Sequence, residues 1–150
     1  MWDKIDTTSK AEYVIGSPMT TSQSIPPHIL IYLRKLCMAL PDAYEETAWA
    51  GTRWCIRKRN FAHVIMIKDG HPPNYAKAAN TNGPECVLTF RSDLAEYDAA
   101  IFQGEPYFKP VWFRNIAGMK LHQDSNWNAV KDHIEASYRL LATKPPSAKP

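Results

Sequence analysis

The chain has 150 residues, 45% of them hydrophobic and 22% charged, with a net charge of +3. That is room for one domain whose core folds without staples. So small an excess of base excludes a dedicated polycation, and no window approaches the roughly 18 apolar residues of a membrane span.

Cys37, Cys55 and Cys86 are odd in number, widely spaced and without CxxC spacing. This argues against a disulfide framework and a structural zinc site, and fits buried, reduced thiols. The first residues are acidic early on and hold no apolar run of signal-peptide length. The expected location is therefore cytoplasmic, with no membrane partner. Residues 1–24 are rich in Ser and Thr without periodicity and are predicted to be a flexible arm. Residues 143–150 form a Pro/Lys tail that cannot continue a helix and is predicted to be disordered. One domain over residues 25–142 lies between them.

That domain opens with Ile29, Leu30, Leu33, Leu36, Cys37 and Leu40 on one helical face, behind Pro26, Pro27 and a possible Ser24 cap. Leu40-Pro41 ends the helix, because a residue before proline is pushed out of the α region. Asp42, Glu45 and Glu46 read as a solvated loop. Trp54 and Ile56 alternate with Arg53, Cys55 and Arg57, the period of a strand with one buried face. Lys58-Arg59-Asn60 is expected to turn the chain, with Phe61 to Ile67 as the partner strand. Residues 68–85 are rich in turn formers and read as a long loop. Cys86 to Arg91 is a third strand. Ser92 caps a short helix carrying Leu94, Tyr97, Asp98 and Ile101, with Gly104 beyond it. Val111 to Phe113 and Ile116 to His122 are two further predicted strands. Asp124 or Ser125 caps a last helix with the stripe Trp127, Val130, Ile134, Tyr138 and Leu141. The predicted order is α-β-β-β-α-β-β-α: an α+β, two-layer fold with an antiparallel sheet and helices on one face.

Little in this pattern carries chemistry. No GxGxxG, GxxxxGK[ST] or GxSxG is present, and the histidines show no HxxxH or HExxH spacing. No catalytic residue, metal or cofactor is expected. His63 reads as a satisfied core histidine. Cys55, between Arg53 and Arg57, would be a reactive thiol only if exposed. Trp49, Trp54 and Trp112 could stack on bases, although tryptophans in strands usually build cores. The basic hairpin does carry a binding mechanism. A two-stranded ribbon with Arg and Lys at its tip can lie along phosphates or enter a groove. Charged turns also serve simply to stay solvated and to block sheet pairing.

The stretch "ALPDAYEETAWAGTRWCIRKRNFAHV" resembles the start of the MmcQ/YjbR-like domain: a helix ending in Leu-Pro, an acidic turn, a Trp, then a strand, a basic turn and Phe-Ala. The similarity runs on through "VLTFRSDLAEYDAAI", "PYFKPVWF" and "WNAVKDHIEASYRLLA", covering roughly residues 27 to 142. It resides in the order of the pieces. The resemblance implies a two-layer α+β fold, DNA as a partner and no established catalytic residue. Residues 68–85 depart from the family's tight connection at that point. Trp49 and Trp54 would fill core, and Phe61-Ala62 would set a packing layer.

The leading expectation is a non-catalytic DNA-binding module, contacting phosphates through Arg53, Arg57, Lys58 and Arg59 with support from Lys68 and Lys120. One alternative is an interaction domain or homodimer using an open sheet face, with Cys55, Val64 and Met66 supplying apolar surface. The other is a small-molecule site between the 68–85 segment and the sheet, near Trp112 and His63.

Overall fold

The computed structural model describes residues 24–97 and 99–142. Residues 1–23 of the predicted 1–24 arm, Asp98 and the predicted tail over residues 143–150 lie outside the described residues. Six strands form one antiparallel sheet in the order β1-β2-β3-β4-β6-β5: β1 Tyr44–Thr47, β2 Thr52–Ile56, β3 Arg59–Ile67, β4 Glu85–Arg91, β5 Tyr107–Phe108 and β6 Ile116–Leu121. The helices are α1 Pro27–Met38, α2 Pro73–Ala79, α3 Asp93–Tyr97 and α4 Trp127–Ala142, with a 3-10 turn at Ala99–Phe102. The α+β class and the layered arrangement follow the sequence expectation.

The main core lies under α1, α3 and α4. Ile29, Leu33 and Cys37 from α1 meet Val130, Ile134 and Leu141 from α4 over Trp54, Val64, Leu88, Phe90 and Met119 of the sheet. These sheet residues share one face by register: Val64 pairs Leu88, which pairs Met119. Residues of opposite parity, Ile65, Ile67 and Val87, face away and form a smaller core with Ala76 and Ala79 of α2. The segment read as a long loop thus contains a helix that covers part of the second face. Its seven residues are too few to show a helical stripe, and the flanking prolines mask it. Asn80 closes it in the left-handed conformation, at φ 56°.

Other expectations are corrected at element ends. Pro27 starts α1 behind Pro26, without a side-chain cap, so Ser24 is not the cap. Asn126 caps α4, its Oδ1 accepting from the Ala129 amide at 3.1 Å, whereas Ser125 Oγ accepts from His122. Ser92 does cap α3, accepting from the Leu94 amide. Residues 111–113 are not a strand: Val111 is 91% exposed, and Lys109 Nζ ties the loop by donating to the Pro110 and Phe113 carbonyls. Tyr107–Phe108 takes the β6 edge instead, and Phe108 lies on Gly118, where a Cβ would sit 2.2 Å from its ring.

The acidic turn is β1, an edge strand. Glu45 accepts from Arg34 Nε and Nη2 at 2.8 and 3.0 Å and from the buried Trp54 indole at 3.0 Å. Its pKa is lowered, first by the Arg34 hydrogen bonds. Arg and indole donors on one carboxylate explain why an acidic residue stands where the chain leaves α1.

Candidate nucleic-acid interface

The hairpin joining β2 and β3 starts from a packed base. A register shift between Trp54 and Cys55 marks a bulge, and both Phe61 and Ala62 enter the main core. The buried Ser137 of α4 donates to the Phe61 carbonyl at 2.7 Å and accepts from the Arg91 amide at 2.9 Å, which binds β3 and β4 to the helix. Tyr138 sets its ring edge-on to Phe61 at 5.4 Å and donates to the Pro41 carbonyl. The hairpin therefore rises from a fixed support.

Its tip is a two-residue turn, one residue earlier than expected. Ile56 pairs with Arg59, leaving Arg57 and Lys58 between them with φ of 54° and 66°. Two successive positive φ values match the twist of a hairpin, and Asn-Gly adopts them at least cost. Here two long cationic side chains do so. Arg57, Lys58 and Arg59 are all exposed.

A fourth cation belongs with them. Arg91, at the end of β4, donates Nε to the Asn60 carbonyl at 2.9 Å, and its pKa is lowered by burial and then by the nearby Arg59 charge. No spacing rule could have found Arg91, because only the β3–β4 register brings it to the hairpin base.

The remaining basic positions are elsewhere. Arg53 is in β2, paired at 2.6 Å with Glu46 across the β1 edge. Lys120 is buried in β6 and held at 2.7 Å by Glu105. Lys68 lies beyond the far end of β3, about 30 Å from the turn at ~3.3 Å per residue. The structure gathers Arg57, Lys58, Arg59 and Arg91, and leaves Arg53, Lys68 and Lys120 apart.

The alternative surfaces are also located. Val64 and Met66 belong to the helix-side core and Cys55 is buried, so these three do not supply an open apolar face. Burial, and then Glu46, pushes the Cys55 thiol up to about 11 despite Arg53, and Cys86 is pushed to about 12. Trp49 does not fill core: it is 94% exposed in the β1–β2 turn. The space between α2 and the sheet near His63 and Trp112 is taken by Tyr75, whose ring meets theirs at 6.1 and 4.9 Å. His63 Nε2 lies 2.6 Å from the Ala50 carbonyl, which can only accept, so Nε2 carries the proton and Nδ1 faces the Tyr75 hydroxyl at 3.4 Å. Burial lowers its pKa. His63 is a satisfied histidine that ties the sheet to the 48–51 turn and to α2.

Among the described residues no group of His, Cys, Asp or Glu is arranged to hold a metal, and no helix is long and apolar enough to cross a membrane. Comparison of the chain with protein-family models, with curated proteins and with solved structures gave no match in any of the three.

Proposed function

We propose that this protein binds DNA through the β2–β3 hairpin, without catalysis, with phosphates contacted by Arg57, Lys58 and Arg59 and with Arg91 at the base. The observation that carries the reading is the turn itself. A left-handed conformation costs a residue with a Cβ about 1–2 kcal/mol, and here two adjacent cations carry it at an exposed tip. Backbone strain of this kind is kept where a side chain is needed in that place. The clustering of Arg59 with Arg91 adds like-charge repulsion that an anionic ligand would relieve. The resemblance to the MmcQ/YjbR-like family supports the same partner, and membership of that family is part of the proposal.

The contacts are of the positioning kind, to the backbone and not to base edges, so little sequence preference is expected. The test is a titration of duplex and single-stranded DNA with wild type and with Arg57→Ala/Arg59→Ala. The double variant should lose affinity for every sequence alike. Equal affinity of the two proteins would remove the hairpin as the site.

A further inference from the structure

A cleft of about 1060 Å³ opens at the other end of β2 and β3, between the start of α1, the 48–51 turn and the 68–73 segment. Its size is at the upper end for small-molecule sites. The floor is apolar, from Leu30, Ile65 and Met66.

Trp49 stands on the first wall, on a turn locked at several points. The Ala48 amide donates to the Gly51 carbonyl at 3.0 Å, and the Ala50 carbonyl is held by His63. Gly51, at φ 80°, lies so close to β3 that a Cβ would fall 2.0 Å from the Val64 carbonyl oxygen. Three short contacts thus hold in place a turn whose central tryptophan is exposed. An indole presented this way is a stacking platform for a flat ring.

The second wall is a tight turn as well. Lys68 and His71 exchange backbone hydrogen bonds at 2.9 and 3.0 Å, with Asp69 and Gly70 between them at φ 54° and 73°. The Gly70 amide donates to the Asn82 carbonyl, which fixes the turn to the segment after α2. Lys68, Asp69 and His71 all line the cleft and are exposed, and none is engaged in an ion pair among the described residues. The ammonium can only donate and the carboxylate can only accept. As consecutive residues of one turn lining the cleft, they offer a donor and an acceptor to an edge that carries N–H donors next to a carbonyl. Their charges nearly cancel, so an uncharged ring suits this wall better than a phosphate.

We propose that the cleft binds a nucleobase-like heterocycle of the guanine type, stacked on Trp49, its ring N–H groups donating to Asp69 and its carbonyl accepting from Lys68. Such a ring has two sources, a free nucleoside or a base splayed from a single strand. The second rests on the hairpin reading: the five residues of β2 and the nine of β3 set the hairpin turn about 17 Å from the first wall of the cleft and about 30 Å from the second at ~3.3 Å each, a span that one extended strand can follow. The first does not depend on it.

Calorimetric titration with guanosine, adenosine and cytidine, on wild type, Trp49→Ala and Asp69→Asn, tests the site. Both positions are exposed and asparagine tolerates the Asp69 backbone, so both variants should fold, with circular dichroism as the check. Guanosine should bind best, and each variant should weaken it about tenfold, the size of one lost stacking or charge-assisted contact. A guanine-containing single strand, run on the same variants and on Arg57→Ala/Arg59→Ala, separates the sources. Losses with Trp49→Ala in both ligands assign the cleft to bases within strands; losses for guanosine alone assign it to the free nucleoside. No guanosine binding, or binding unchanged in Trp49→Ala, overturns the proposal. In that event salt-dependent strand binding lost with the arginine pair would leave the hairpin reading standing.

Discussion

Replacing Lys58 by glycine separates the two demands placed on the hairpin turn. Lys58 sits at φ 66°, the second position of a turn that favours glycine there. Relief of the left-handed conformation is worth about 1–2 kcal/mol, and the greater freedom of glycine in the unfolded chain takes back roughly 0.5–1 kcal/mol. The net gain is about 0.5–1 kcal/mol, because Lys58 is exposed and no packing is lost with it. For a domain near 120 residues that corresponds to a rise in melting temperature of about 2–4 °C. The same substitution removes one phosphate contact, which should reduce the slope of log K against log salt by about 0.9 on duplex DNA. Thermal denaturation and a DNA titration at several salt concentrations read both quantities from one protein. A variant that is less stable would show that the turn is not strained. One that is more stable but binds DNA with an unchanged slope would show that the strain serves something else.

Acid should weaken the fold in two steps. Burial holds His63 and His133 below the ordinary histidine value, so the unfolded chain binds more protons than the folded one as pH falls through 6.5. Stability is then full above that pH, declines below it and levels off once the folded pKa values are passed; His63→Phe or His133→Phe should flatten the decline in a denaturation series. Glu45 adds a lower step: its pKa is depressed, so its contribution is present above 4.5 and lost as pH falls from there through the folded value. Glu45→Ala should cost about 1–3 kcal/mol at neutral pH by stranding the buried Trp54 indole, measured by urea unfolding. A thiol reagent should leave Cys55 and Cys86 unmodified in the native protein and label them only on unfolding, because both are buried and their thiols are pushed up to about 11 and about 12. Rapid labelling of the folded chain would contradict the burial described.

Elements with sustained periodicity were legible in the sequence. The stripe of α4 and the apolar face of α1 lie where their spacing puts them, with Ile29, Leu33, Val130 and Ile134 in the core. What escaped reading depends on partners distant in sequence. Glu45 and Glu46 look like solvated acids until β1 pairs with β2 and Arg34 and Arg53 arrive beside them. Trp49 looks like core because its type usually is, and only the closed turn against β3 forces it outward. α2 has seven residues, too few for its period to show. The candidate site was half legible: the run Arg57-Lys58-Arg59 is visible as charge, while Arg91 joins it only through sheet register, and Lys68 and Lys120 leave it for the same reason.

The most direct measurement of the central proposal is the salt dependence of DNA affinity, compared between wild type and Arg57→Ala/Arg59→Ala. Three exposed phosphate contacts at the hairpin should give a slope of log K against log salt of about −2.7 on duplex DNA, falling to about −0.9 in the double variant. A slope near zero in wild type, or the same slope in both proteins, would contradict the assignment of DNA binding to this hairpin.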